Sequence, residues 1–399
     1  MNVLIAVVSS TTHLSGVSRH AANLARCLLT RVDVEAVHLV LAEWQYESIC
    51  GVVPHEDQRL HIHTVDIGRG TIERNLWYYR KLPALAALLE VDIVHLAYPI
   101  PLQRRAYHCS TVVTLHDLYP YDIPGNFGFP KVLFNRMVLQ QCLRAADAIA
   151  CVSDSTLRQL RHYAKPAVVK KALTISNCVE AGPLMAARSP LPGWNGETFL
   201  LCVAQHRRNK NILLALRVFH RLLHNQEVDR TALFVLIGIE GPETARIQQF
   251  VESSGLSGRV VFLHGVSDAE LQWCYKHAEL LLAPSIIEGF GLPVAEAMLH
   301  HCRVVCSDIP AFREVGGSYC HYADLQPSPE DAFVHAIRLA RKDLKFRPVD
   351  TERFSAGRIA DKYLDLYHEQ RKQSSTNALR GLVNSLSSSE REGSVEHLK

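Results

Sequence analysis

The sequence predicts two doubly wound α/β domains, each a parallel sheet covered by helices on both faces, set opposite one another across a cleft. Three observations predict it. Short continuous apolar runs alternate with amphipathic stretches through the first half of the chain. The same series starts afresh at Phe199. Between the two lies Ser189-Pro190-Leu191-Pro192-Gly193-Trp194-Asn195-Gly196, whose prolines and glycines suit a linker. Continuous apolar runs mean strands buried on both faces, as parallel sheets with crossover helices require.

In order, Val3–Val8 reads as a buried first strand, and Ser9 to Gly16 as the loop after it. Ala21, Leu24, Ala25, Leu28 and Leu29 then recur at helical spacing. Further strands are expected at Ala36–Leu41, Ile93–Leu96, Thr111–Leu115 and Ala148–Val152, which gives a first domain over 1–188. The second, over 197–345, takes Phe199–Ala204, Ala232–Ile237, Val260–Leu263, Glu279–Ala283 and Arg303–Cys306. A terminal helical segment is expected within 346–370. The serine-rich, charged stretch 371–399 reads as a disordered tail.

The bulk numbers exclude several classes. With 48% hydrophobic and 21% charged residues among 399, and mean hydropathy at +0.00, the composition is that of a soluble globular protein. A net charge of +3 without a long basic run gives no reason to expect a nucleic-acid partner. Eleven cysteines, an odd number with no CxxC pair, read as reduced thiols, and so as a cytoplasmic protein. The start, Met1-Asn2 running straight into apolar residues, lacks the basic region of a secretory signal. Runs such as Leu233–Ile237 are far short of a membrane span. The expected location is the cytoplasm, at most on the inner face of the membrane.

Ligands of open α/β sheets bind beyond the carboxyl ends of the strands. The strongest signal there is Pro284-Ser285-Ile286-Ile287-Glu288-Gly289-Phe290-Gly291-Leu292-Pro293-Val294-Ala295-Glu296, which follows an apolar strand and opens a helix near Gly291. Backbone amides of Gly289, Phe290, Gly291 and Leu292 at a helix start form an anion site, and the glycines admit a diphosphate close to the backbone. Glu288 is placed to accept sugar hydroxyls, and Glu296 those of a ribose. A capped surface helix with incidental acids is the rival reading, and the co-occurrence of loop, glycines, proline and both acids argues against it.

Gln205-His206-Arg207-Arg208-Asn209-Lys210-Asn211 follows the first strand of the second half. Its Arg207, Arg208 and Lys210 are cations suited to a departing diphosphate; alone, they would pass for a solvated basic turn. His116 follows Thr111–Leu115 and so sits at a strand end facing the cleft, with Asp117 to orient it or cap the turn. No two aspartates are separated by a single position, so a DxD metal-diphosphate motif is absent. His300, His301, Cys302 and Cys306 lie on helix and strand ends, so no metal site is expected. The stretch from Arg74 to Pro83 mixes aromatics and cations. It fits equally a surface resting on an anionic membrane and a helix whose Leu76, Tyr79 and Leu82 face the core.

The Glu288-to-Glu296 block resembles the E-x7-E motif of retaining glycosyltransferase family 4. The resemblance continues through Arg303–Pro310 and Phe312–Gly317. It includes Leu14–His20 with Gly16 as the donor-side glycine loop, Thr114–Leu118 as the family's histidine motif, and Ala145–Ser155. Covering roughly 1–345, it is nearest to mannosyltransferase-like members that act on bacterial surface polysaccharides. It implies the GT-B fold and transfer of a hexose, such as mannose, with retention. It also implies a nucleotide-diphosphate sugar as co-substrate, a glycan or polyprenyl-linked acceptor, and no metal. Lys210 would be the phosphate lysine and His116 a contact of the donor sugar. Gln205 stands where the family commonly has Arg, a gap that Arg207 or Arg208 would fill. The alternatives are a nucleotide-sugar epimerase or phosphorylase, or a non-catalytic sugar-nucleotide sensor on the same fold.

Overall fold

The computed structural model describes residues 1–180, 189–343 and 350–373. The first sheet comprises β1 (Asn2–Ala6), β2 (Ala36–Ala42), β3 (Leu60–Val65), β4 (Ile93–Leu96), β5 (Ser110–Leu115), β6 (Ala148–Cys151) and β7 (Ala172–Thr174), in the order 3-2-1-4-5-6-7. The second comprises β8 (Phe199–Val203), β9 (Leu233–Ile237), β10 (Val260–Leu263), β11 (Leu280–Ala283), β12 (Val304–Ser307) and β13 (His321–Ala323), in the order 10-9-8-11-12-13. Every pairing in both is parallel. The GT-B arrangement of two doubly wound domains is therefore the observed one.

Successive side chains of a strand point to opposite faces, and β1 shows why its run is unbroken. Val3, Ile5 and Val7 enter the core on one side of the sheet, Leu4, Ala6 and Val8 that on the other. The strands missing from the sequence reading are β3, β7 and β13, all at or beside sheet edges. Leu60-His61-Ile62-His63-Thr64-Val65 alternates with polar residues because water reaches it. The other two have only three residues each.

The described residues assign two segments differently from the sequence reading. Within the expected linker 189–196, Leu191 is buried and the Trp194 ring meets Trp273 edge-on at 4.9 Å, so this stretch is docked on the second core. The helix expected after the second domain runs over 356–373, three residues into the stretch expected to be a tail, whose remainder lies outside the described residues. It does not extend the second domain. The chain crosses back, with Val179 N–H donating to Phe354 O (3.0 Å) and Ala356 N–H to Glu180 Oε1 (2.8 Å). Ile359, Ala360, Tyr363, Leu366 and Tyr367 then complete the core on one face of the first sheet.

That helix also closes a buried polar chain. Asn177 offers its amide oxygen to His20 Nδ1 (2.8 Å), so Nδ1 donates and Nε2 accepts from the Thr114 hydroxyl (3.0 Å). Thr114 Oγ1 in turn accepts from His95 Nε2 (2.8 Å), and His95 Nδ1 accepts from the Tyr367 hydroxyl (2.7 Å). The assignment is consistent only with both imidazoles neutral, and burial pushes His95 down to about 3 and His20 well down. Tyr367→Phe leaves His95 Nδ1 without its donor. It is expected to cost about 1–3 kcal/mol of unfolding free energy, measured by urea denaturation; an unchanged midpoint would refute the chain.

Candidate active site

Neighbouring strands β8 and β11 send their connections in opposite directions, the switch point at which open α/β sheets bind ligands. The loops after them are 204–211 and 284–291, the two that carry the predicted residues. They are tied by Ile286 N–H donating to Asn209 O at 2.8 Å. Gly291, at φ +103°, starts the helix Leu292–Leu299. A β-carbon there would stand 2.7 Å from the Phe312 ring, so both backbone and space demand glycine. Phe290 contributes main chain only, since its ring is buried edge-on against Phe354 at 5.5 Å.

Glu288 is the centre of the site. Its Oε1 accepts from Lys210 Nζ at 2.6 Å and from Ser285 Oγ at 2.7 Å. Its Oε2 accepts from the Tyr119 hydroxyl, which comes from the other domain, at 3.1 Å. The ion pair is largely buried, the two side chains being 20% and 10% exposed. Arg207 and Arg208 are exposed at the rim; Arg207 acts on Asp117 through its charge, and Arg208 lies beside Gly125.

From the first domain, β5 delivers His116 and Asp117. His116 Nε2 donates to Ala97 O (2.8 Å) and the ring meets His20 edge-on at 4.9 Å. Withdrawal from water pushes it down to about 4, so it is neutral, with Nδ1 as the lone-pair nitrogen. Asp117 Oδ1 accepts the Tyr119 N–H (3.0 Å), which confirms it as a turn cap. Withdrawal from water, helped by the charge of Glu288, pushes Asp117 up to about 6. The His116 carbonyl lies so close to Gly289 that a β-carbon would stand 1.8 Å from it. Gly289 O accepts from Ser153 Oγ and from Thr156 Oγ1 (3.1 Å). Glu314, also of the second domain, accepts the N–H groups of Asp154 (2.8 Å) and Ser155 (3.0 Å) at the start of the helix Asp154–Tyr163.

Glu296 lies on the far side of the switch point. Its Oε2 accepts from the Tyr275 hydroxyl at 2.8 Å. Burial raises its carboxyl, and the nearby Arg19 guanidinium opposes that. Arg19 belongs to the helix Gly16–Leu29, capped by Ser15, and bridges the domains through two bonds to Asp268 (3.0 and 2.6 Å). Gly16 has open space beside it. Lys210, Glu288, the Gly289–Leu292 backbone and His116 thus meet, while Gly16 and Glu296 stand apart from them, linked through Arg19. The sequence reading missed Tyr119 and Tyr275, and quoted Arg19 and Glu314 within the motifs Leu14–His20 and Phe312–Gly317 without assigning them a role. Ser285 stood in the quoted motif, three residues before Glu288, with no role assigned.

The pattern described as Glycosyltransferase Family 4 matches residues 14–181, and that described as Glycosyl transferases group 1 matches 189–348. The chain belongs to glycosyltransferase family 4. This glycosyltransferase is similar to "O-antigen chain mannosyltransferase RfbU" of Salmonella typhimurium, with 29% identity over 66% of this chain and 70% of the relative. It is also similar to "O-antigen chain mannosyltransferase B" of Escherichia coli, with 25% identity over 88% and 94%. Among solved structures, the Anabaena protein HepE with UDP and glucose superposes with TM-score 0.61 at 15% identity, covering 95% of this chain and 99% of that one. The catalytic domain of Arabidopsis thaliana starch synthase IV with ADP and acarbose gives 0.67 at 14%, covering 93% and 99%. At such identities these structures speak for the fold.

Three neutral histidines behind the site make the glycosyltransferase acid-sensitive. His20, His95 and His116 titrate below their ordinary value of about 6.5. Below that pH the unfolded chain therefore binds more protons than the native one, and stability falls as pH falls from about 6.5 towards 4. Asp117, raised to about 6, works the other way between about 6 and 3.9, as do the raised Asp122, Glu296 and Glu314. But His38, His63, His206 and His300 are lowered too, so among the described residues seven imidazoles stand against four carboxyls. Unfolding free energies measured at pH 7.5, 6 and 5 should decline in that order; a flat profile would contradict the neutral assignment.

Proposed function

We propose that this glycosyltransferase moves a hexose, mannose by its relatives, from a nucleotide-diphosphate sugar to a glycan or polyprenyl-linked acceptor with retention at the anomeric carbon. The setting would be O-antigen or other surface-polysaccharide assembly on the cytoplasmic side. The observation that carries it is the Lys210–Glu288 pair at the switch point, a cation for a diphosphate joined to a carboxylate for a sugar. The printed names of the relatives support mannose and O-antigen.

The donor diphosphate takes Lys210 Nζ, Arg207 or Arg208, and the amides at the start of the helix Leu292–Leu299. Glu288, released from Lys210, accepts a sugar hydroxyl, and neutral His116 offers a lone pair to the sugar. Glu296 accepts from the ribose beside the Tyr275 hydroxyl. As the bond from the anomeric carbon to the phosphate oxygen breaks, its electron pair stays on the diphosphate. The acceptor oxygen bonds on the same face and passes its proton to the leaving phosphate oxygen. Charge on the diphosphate is met by side chains and amides, so no metal ion is required.

Lys210→Ala is expected to lower turnover on the order of a hundredfold and to weaken nucleotide-diphosphate binding. His116→Ala should lower turnover with that binding nearly intact, and the parent should keep its rate in excess EDTA. Calorimetry with GDP, UDP and ADP beside initial rates checks all three. Nucleotide affinity lost as badly in His116→Ala, or activity abolished by EDTA and restored by manganese, would refute this division of labour.

Acceptor approach from a membrane surface has a specific observation behind it. No helix among the described residues is long and apolar enough to cross a membrane, yet large apolar side chains are exposed on two segments of the first domain. One begins at Ile72, exposed at 83%, and runs into the stretch singled out in the sequence, where Leu76 and Tyr79 are also exposed while Tyr78 and Leu82 are buried. The other, missed in the sequence, holds Phe129 at 82%, Leu133 and Met137, with Lys131, Arg136 and Arg144 on the same helix. Cations beside apolar groups suit an anionic lipid surface. The protein should sediment with vesicles containing anionic lipid and not with zwitterionic ones. Phe129→Glu with Met137→Glu should abolish that while sparing turnover on a water-soluble acceptor; undiminished sedimentation would reject this surface.

A further inference from the structure

We infer that Tyr119 is a positioning residue for sugar transfer, fixing the Glu288 carboxylate and making its alignment conditional on a closed cleft; this rests on the reading that Glu288 meets the donor sugar. The three donors that hold Glu288 are not equivalent. Ser285 lies three residues away in the same loop, and its hydroxyl goes wherever that loop goes. Lys210 carries the charge that an arriving diphosphate will draw off, so its 2.6 Å contact with Oε1 is the one to be exchanged. Tyr119 alone comes from the opposite domain, 169 positions away in sequence, and alone occupies Oε2. It is uncharged, so a diphosphate has no strong claim on it. When Lys210 turns to the phosphates, a sugar hydroxyl can replace it on Oε1 while Tyr119 keeps Oε2 in place. Without Tyr119 the carboxylate is free to rotate at the moment its direction matters.

The tyrosine is itself fixed. Asp117 Oδ1 caps its backbone N–H at 3.0 Å, and its hydroxyl also lies 3.4 Å from Ile287 O. Three positions earlier, the His116 carbonyl touches Gly289, the residue after Glu288. One four-residue stretch, 116–119, therefore both abuts the donor loop and reaches its carboxylate. Separating the domains removes both contacts together, so Glu288 is aligned only when the cleft is shut.

The test is a cycle of Tyr119→Phe, Glu288→Gln and the double variant, with single-turnover rates, KM for the donor sugar and calorimetric affinity for the bare nucleotide diphosphate. Tyr119→Phe should lower the rate about tenfold, the value of one hydrogen bond of about 1.4 kcal/mol. Bare-nucleotide affinity should stay within about twofold, because that ligand lacks the sugar. On the Glu288→Gln background the same change should add less than about twofold, since the two act as one unit. Full activity of Tyr119→Phe, an equal loss of nucleotide affinity, or a full tenfold effect on top of Glu288→Gln would each overturn the inference. If Glu288→Gln itself keeps the parent rate, the reading of Glu288 fails, and the inference with it.

Discussion

The close approach of the His116 carbonyl to Gly289 is the contact from which the cleft is organised, because two loops of different domains can meet that tightly only where one of them has no β-carbon. Once they meet, the neighbours follow. Ser153 and Thr156 hold the Gly289 carbonyl from beneath. Glu314 reaches back to satisfy the first amides of the helix that carries Thr156, groups that otherwise lack partners within their own helix. The clasp runs one way, the first domain supplying the donors and the second the acceptors. Glu288 is placed within reach of Tyr119 by the geometry of the residue next to it.

A largely buried carboxylate and ammonium are costly to withdraw from water, and attraction offsets that only with good geometry and further hydrogen bonds. Here Ser285 and Tyr119 complete the set around Glu288. The pair thus keeps two opposite charges side by side in a sheltered place. Arg19 plays a comparable part on the far side, shared between Asp268 and the field of Glu296. Both arrangements are set in place by the fold itself.

How much of this could be read in the sequence follows from where each residue's partners lie. Interior strands such as β1 and β11 announce themselves, since both faces are buried and their runs are apolar apart from Asn2 at the start of β1. Edge strands such as β3, with one side wet, did not. The loop 284–291 and the helix after it were legible because Glu288, Gly291 and Glu296 are local to one strand-turn-helix. Tyr119, Arg19 and Glu314 were not, because their partners lie 169, 249 and 160 positions away. Leu133, Phe134 and Met137 have the spacing of a core face and turn out exposed; periodicity reports which residues share a face, not what that face meets.

The helix over 356–373 gives the molecule an order of assembly. Synthesis delivers the first sheet early, with Val3, Ile5 and Leu39 on the face that this helix covers. Tyr363 and Tyr367, which finish that face, emerge only after the entire second domain. Domains generally fold as units, those nearest the N-terminus first during synthesis. Here the first-made half cannot close until this late helix arrives. The helix Gly16–Leu29 covers part of that apolar face early, but the part under 356–373 must stay open on the ribosome for most of translation, and the second-made domain is the first that can be completed.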